Sequence, residues 1–505
     1  MNDPGPTRLP LRRLGVDTYQ EPVIYMHADC AVCRAEGFEA QSRIRIALGE
    51  RAIIATLNVI RSEWLSPHEA ALSEAAWSAL AAHEGELATL SHPEPLESFS
   101  AVRAKIYGHP FSADALQAII GDISTGRYSA LETAAFITAC AGRNMSLDES
   151  IALTRAMIDA GTRLQWPGHA IVVDKHCIGG LPGNRTTPIV VAIAAAFGLT
   201  MPKTSSRAIT SPAGTADTME TLAPVDLDLG AMRRVVEHEG GCIVWGGAMA
   251  LSPADDLLIR VERPLDFDSD GQLVASVLSK KVAAGSTHLI IDIPVGTTAK
   301  VRTSEAARAL EVRLQTVAIA MGLTVRIVQT NGDQPVGRGI GPALEARDVL
   351  AVLQNDPAAP PDLREHALLL SGTLLETADA VGVGQGTLAA AKVLGSGAAW
   401  RKFLAICEAQ GGFRMPPQAT HRHEIAATQP GQVLAIDNRR LARAAKLAGA
   451  PSAPAAGIDL HVRLGDSIAA GQPLFTLHAG NRGELEYARA YLASAPLPVR
   501  VGAPS

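Results

Sequence analysis

The chain has 505 residues, a length for about three to four domains at roughly 150 residues each, which excludes a single small binding module. Hydrophobic residues make up 47%, with only nine Phe, six Tyr and five Trp, so the cores are expected to be built from aliphatic side chains. The formal charge is −6 with no long basic run, which excludes an electrostatic footprint for nucleic acid or an anionic membrane. Any phosphate the protein holds is expected to belong to a small ligand.

The longest strongly apolar stretch, Ile189 to Leu199, is far short of the roughly 18 to 20 residues that span a bilayer. The first residues, MNDPGPTRLPLRR, have no apolar core behind their basic side chains and do not read as a secretory signal. Six scattered cysteines read as reduced thiols of a cytoplasmic protein.

In chain order, residues 1–95 hold short apolar runs such as Pro22 to Met26 and Ala52 to Val59 and are expected to form a β-rich domain. Within it, His27, Cys30 and Cys33 give H-x-x-C-x-x-C, half of a zinc site with no second C-x-x-C to complete it, so a reduced buried pair is the default and no metal is expected. Residues 96–165 turn helical, with capping boxes at Ser129/Glu132 and Ser146/Glu149, and residues 251–283 are assigned to the same helical domain.

At Ala170 the period changes. Ala170 to Asp174 is a β-branched strand, a Gly-rich turn follows, and Pro188 opens a buried helix. Further strands are expected at Cys242 to Gly246, His288 to Gly296 and Leu323 to Thr330, with a helix from Ser304 to Met321 between the last two. Strands separated by helices predict a mostly parallel α/β sheet, assigned to residues 166–418, and residues 419–505 read as a closing α+β domain. Its barrel-sandwich pattern contains no lysine after Lys446, which argues against a carrier role.

The chemistry concentrates in DKHCIGGLPGNRTT, Asp174 to Thr187, at the carboxyl end of a strand, the edge where open α/β sheets bind ligands. Gly179, Gly180 and Gly183 let the backbone approach an anion, while Lys175, Thr186 and Thr187 add a charge and hydroxyls. The glycines alone also describe a plain tight corner; the lysine, histidine and paired threonines select a phosphate cradle. It is no Walker A loop, because Asn184 and Arg185 stand where the second glycine and the lysine would be, and it is no G-x-G-x-x-G fingerprint. A second corner at Leu199 to Pro202 precedes TSSRAITSPAGTAD, Thr204 to Asp217, where dense hydroxyls and Arg207 offer donors to phosphate or ribose oxygens. Such loops often satisfy only their own backbone; two on adjacent strands make a shared anion site the expectation.

These two motifs, with SKKVAAGSTHLIIDIPVGTTAK (Ser279 to Lys300) and NGDQPVGRGIGPALEARDVL (Asn331 to Leu350), resemble the thymidine phosphorylase and AMP phosphorylase family, in its longer branch with an extra N-terminal domain. The resemblance runs nearly the whole chain. It implies a small N-terminal barrel, a helical domain and an α/β domain with a cleft between them, a C-terminal domain supporting homo-oligomers, and cleavage of an N-glycosidic bond by inorganic phosphate without metal or organic cofactor. By it, Lys175, Thr187, Ser205 and Thr215 match phosphate-holding positions. Gly180, the run Ser206, Arg207, Ala208, Ile209, Thr210 and Ser211, then Thr215, Ser276 and Lys300, match substrate-binding positions. Asp268 matches the proton donor, although PLDFDSDG by itself reads as a solvated acidic turn. His176 and Lys280 match base contacts, His176 reading equally as a structural hydrogen-bond donor.

Two departures bear on the substrate. Cys177 replaces the usual serine, and Glu262 stands about where the shorter branch keeps an arginine on the pyrimidine carbonyl, with Arg260 and Arg263 as substitutes. The expected reaction is thymidine plus phosphate to thymine plus 2-deoxyribose 1-phosphate. The alternatives are phosphorolysis of AMP, CMP or UMP, and a nucleotide-binding regulator without turnover.

Overall fold

The computed structural model describes residues 8–142, 144–208, 211–249, 251–265, 269–494 and 496–503. The chain divides into two compact units, Met1–Ala139 and Cys140–Ser505.

The first unit opens with β1 (Arg8–Arg13), β2 (Val23–His27), α1 (Ala31–Glu36), β3 (Arg43–Leu48), β4 (Arg51–Ile60), β5 (Ala70–Leu72), α2 (Glu74–Leu80) and β6 (Leu87–Ser91). The six strands close into a barrel in the order β1-β5-β2-β4-β3-β6. Alternation sets its inside: in β3, Ile44, Ile46 and Leu48 are buried while Arg43 and Arg45 face outward. Three helices follow, α3 (Phe99–Ile106), α4 (Ala113–Ser124) and α5 (Ala130–Cys140), the last started by the Ser129/Glu132 box in which each side chain bonds the other's backbone.

The second unit starts with α6 (Leu147–Asp159), capped reciprocally by Ser146 and Glu149, followed by β7 (Val173–Cys177), α7 (Thr187–Phe197), β8 (Met201–Ser205), α8 (Thr215–Glu220), α9 (Leu229–Glu239) and β9 (Gly241–Trp245). Then come α10 (Pro253–Leu265), α11 (Asp270–Ala283), β10 (His288–Val295), α12 (Ser304–Ala320) and β11 (Thr324–Asn331). β11, β10 and β7 form a parallel sheet, and β8 pairs with β9 in parallel; the two meet at the bridge Val172 to Thr200. Buried on every side, α7 reads apolar throughout, from Ile189 to Ala195.

Beyond it run β12 (Gly339–Ile340), α13 (Pro342–Leu353), α14 (Pro361–Thr377), α15 (Gly386–Gly395) and α16 (Ala398–Ala409). The last section contains β13 (His421–Ala426), β14 (Gly431–Ile436), α17 (Asn438–Leu447), β15 (Gly457–Leu460), β16 (Ser467–Ile468), β17 (Pro473–Ala479), α18 (Arg482–Ala493) and β18 (Val499–Gly502). Its sheets are β12-β15-β17-β13 and β16-β14-β18.

Two sequence expectations are corrected. The strand expected at Ala170 to Asp174 instead covers Val173–Cys177, because β10 pairs residues His288 to Asp292 with it, so Lys175 and His176 sit in a strand and not in a loop. The corner expected at Leu199 to Pro202 is the entry to β8, whose polar end, Lys203 to Ser205, hid a strand with β9 as its partner. No helix among the described residues is long and apolar enough to cross a membrane.

Candidate active site

The carboxyl ends of β7 and β8 carry the two loops singled out in the sequence. At the first, the chain turns through Gly179, Gly180 and Gly183, all with positive φ. A Cβ on Gly180 would stand 2.4 Å from the Lys300 backbone nitrogen, and one on Gly183 would stand 2.2 Å from the Val336 carbonyl oxygen, so only glycine permits these approaches. Lys300, exposed itself, is thereby laid against the first loop.

Lys175 is 1% exposed. Its Nζ donates to Thr186 Oγ1 at 2.8 Å, and among the described residues no carboxylate lies at ion-pair distance from it. The neighbouring lysines differ. The Asp174 carboxylate accepts from Lys203 Nζ at 2.9 Å and Lys281 Nζ at 2.7 Å, and Lys203 also donates to the Lys175 carbonyl at 2.9 Å. Burial pushes the Asp174 carboxyl up, but the two lysines outweigh it and hold it below the usual range. Burial, with the charge of Lys203, lowers the Lys281 ammonium. Lys280 pairs with the buried Asp255 of α10; burial opposes its charge, yet Asp255, Asp256 and Glu262 hold its ammonium up.

His176 follows from this field. Desolvation first, then the charges of Lys281, Lys203, Lys175 and Lys280, push its imidazole well below the ordinary 6.5, so the ring is neutral at pH 7. Its neighbour Cys177 has its thiol pushed up to about 12 by burial and the Asp292 charge, which makes it a neutral thiol and no nucleophile. Asp292 accepts from Thr330 Oγ1 at 2.6 Å and Asn184 Nδ2 at 3.2 Å. Burial raises its carboxyl, but His366 and Lys175 prevail and keep it ionised.

Thr187 is buried at the start of α7. On the second loop, Ser205 ends β8, Ser206 and Ser211 are exposed, and Ser211 Oγ donates to the Ala213 carbonyl at 3.0 Å. Asp217 gathers the loop by accepting from the amides of Ala208 at 2.7 Å and Gly214 at 2.8 Å. Arg207, expected as a donor to ligand oxygens, is engaged elsewhere: it forks onto Glu220 at 2.5 and 2.9 Å and lies 5.0 Å from the Trp245 ring centroid. Thr215 Oγ1 accepts from Arg185 at 2.7 Å. Ser276 and Lys280 lie on α11. Asp268, Ile209, Thr210 and the side chain of Arg263 lie outside the described residues.

A cavity of about 520 Å³ includes Glu262, Ser269, Asp270, Lys300, Arg302 and Arg313 in its lining. It brings Lys300 and Glu262 together; Arg313 is bonded to the carbonyl of Met145 and to Ser150 Oγ. Among the described residues, no group of three or more His, Cys, Asp or Glu is placed to hold a metal ion. Cys30 and Cys33 are buried free thiols.

Sequence reasoning missed Asp174, Lys203, Lys281, Arg185 and Glu345 as parts of the site. The available signal was a charge inside each apolar context: Lys203 in strand β8, Asp174 in β7 and Glu345 in the buried face of α13.

Residues 100–161 match the helical bundle domain of a glycosyl transferase family and residues 169–400 its a/b domain, while residues 432–495 match a pyrimidine nucleoside phosphorylase C-terminal domain. The putative thymidine phosphorylase of Polaromonas sp. strain JS666 is 63% identical over 496 residues, covering 98% of this chain and 97% of that protein. Putative thymidine phosphorylase 1 of Acidovorax sp. strain JS42 is 62% identical over 490 residues, covering 97% and 96%. The chain belongs to the thymidine phosphorylase family. As a member of that family it is a pentosyltransferase. A crystal structure of anthranilate phosphoribosyltransferase from Thermus thermophilus superimposes with a TM-score of 0.50 at 19% identity, covering 61% of this chain and 99% of that one, a likeness of fold over that share of the chain.

Proposed function

We propose that the protein cleaves thymidine with inorganic phosphate, giving thymine and 2-deoxyribose 1-phosphate. The observation that carries this reading is Lys175: a buried ammonium with no carboxylate partner among the described residues, at the mouth of a Gly-rich loop, beside Thr186 and Thr187. Its field reaches Asp292 but no carboxylate contacts it among the described residues; burying an ammonium without a contacting counter-charge is costly, and a phosphate dianion supplies one. Lys175, Thr187, Ser205 and Thr215 then hold the phosphate beneath the sugar, each charge-assisted bond contributing about 1.5–3 kcal/mol.

A phosphate oxygen attacks the anomeric carbon as the carbon–nitrogen bond breaks, and the departing base takes a proton from Asp268. The neutral His176 ring, with Lys280, contacts the base, and Ser276 binds the nucleoside; a neutral imidazole donates one hydrogen bond and accepts another. Ordering phosphate and nucleoside together accounts for much of the rate. Phosphate is the co-substrate, no other cofactor takes part, and the working form is a homodimer or larger homo-oligomer.

A second reading, phosphorolysis of a nucleoside 5′-monophosphate, is favoured by Lys300 and Arg302 lining the cavity that also holds Ser269, where a second phosphate meets cations. Base release from thymidine, uridine and AMP, assayed in parallel with and without phosphate, decides. Turnover of thymidine but not AMP supports the first reading, the reverse supports the second, and silence on all three sinks both.

A further inference from the structure

Arg185 occupies the end of the first loop, and all its nitrogens are engaged with protein. Its Nε donates to Glu345 Oε2 at 2.7 Å, Nη1 to Thr215 Oγ1 at 2.7 Å and Nη2 to the Ala213 carbonyl at 2.9 Å. The side chain is 12% exposed and that of Glu345 is 1% exposed. Glu345 is itself fixed: Oε2 also accepts from Thr218 Oγ1 at 3.3 Å and Oε1 from the Gly341 amide at 3.1 Å. One guanidinium therefore ties the first loop, the second loop and α13 together.

The consequence lies at Thr215. A hydroxyl has one proton and two lone pairs, and Arg185 fills one lone pair with a charge-assisted bond. Among the described residues, no protein group accepts from the Thr215 O–H. A threonine left to itself turns its hydroxyl back onto local backbone; here the arginine holds the oxygen so that its proton points away from the guanidinium.

We propose that Arg185 is a positioning residue for phosphate: it does not touch the anion, and it presents the Thr215 hydroxyl as a donor. The identity of the anion rests on the phosphorolysis reading above. Residues that bond a shared ligand only through one another show non-additive effects, and this gives the test.

The variants are the pair Arg185→Met with Glu345→Met, which leaves no unpaired buried charge, then Thr215→Val, and the three combined. Each is assayed with phosphate varied at saturating nucleoside, then with nucleoside varied at saturating phosphate. The pair raises the phosphate KM at least about ten-fold, the loss of one charge-assisted bond, and leaves the nucleoside KM within about two-fold. Adding Thr215→Val to the pair raises the phosphate KM no further. Multiplying effects, or both KM values moving together, overturn the proposal. Should the pair not fold, Arg185→Gln, which keeps a donor toward Glu345, is judged by the same criteria.

A second readout is independent of turnover: the rise in Tm on adding inorganic phosphate over chloride of equal ionic strength. The Met pair must reduce that rise, and an unchanged rise overturns the positioning role. Wild-type protein that shows the rise but releases no base from any nucleoside overturns the phosphorolysis reading alone. Wild-type protein that shows neither overturns both.

Discussion

Lys203 reaches from β8 to the Asp174 carboxylate of β7 at 2.9 Å, and the same ammonium bonds the Lys175 carbonyl, so a buried ion pair sets the backbone that carries Lys175. Lys281 of α11 closes the group from the other side at 2.7 Å. Asp174→Asn leaves Lys203 and Lys281 buried without the carboxylate both donate to. Removing one partner of such a pair costs about 3–5 kcal/mol, and chemical denaturation of the variant should show a loss of that size. A loss below about 1 kcal/mol would mean that the cluster is hydrated rather than dry.

Lys175→Met should separate stability from activity. The wild-type ammonium is buried without a carboxylate partner among the described residues, so the apolar variant keeps a ligand-free stability within about 1 kcal/mol of wild type or above it. Its kcat/KM should fall at least about 100-fold, with loss of the roughly 2.7 kcal/mol of stabilisation that phosphate at a hundred times its Kd gives wild type. Undiminished phosphorolysis would remove Lys175 from the phosphate site.

The pH dependence of stability has a definite sign at His176. Desolvation and four lysines hold its folded pKa below the ordinary 6.5, so below about pH 6.5 the unfolded chain binds a proton that the fold refuses. Stability therefore rises with pH through this window and falls as pH drops from about 6.5 toward the lower folded value. His288, lowered by burial, and His478, pushed down to about 4 by burial, add to the same slope. His176→Gln should lose less Tm than wild type between pH 7.5 and pH 5.5; an identical loss would place the ring in contact with solvent.

The glycines of the first loop should rank by their surroundings. Gly179→Ala meets no atom within 4 Å and bears only a left-handed backbone at φ +92°, about 1–2 kcal/mol. Gly180→Ala, at φ +81°, collides with the Lys300 nitrogen at 2.4 Å, so it should lose more stability and also raise the nucleoside KM by moving Lys300. Equal effects at the two positions would show that Lys300 yields without consequence.

Much of this was legible in the chain. The Ser146/Glu149 box sets the start of α6 through contacts three residues apart, and the glycines of Asp174 to Thr187 mark a tight turn that the structure contains, because local backbone freedom and side-chain chemistry belong to the residues themselves. The polar strand Met201–Ser205 was not legible, because its β identity comes from pairing with Gly241–Trp245, about 40 residues away. The shift of the first strand onto Val173–Cys177 has the same origin in β10.

The same division holds within the site. Composition and local motif determined which residue types stand at the ends of β7 and β8. Only the tertiary structure decided that Asp174 pairs with Lys203 and Lys281 and not with Lys175, that Glu220 occupies Arg207, and that Glu345 directs Arg185 onto Thr215. The physical reason is that a charge's role is fixed by its partners and its burial, and the partners of Arg185 stand 30 and 160 positions along the chain.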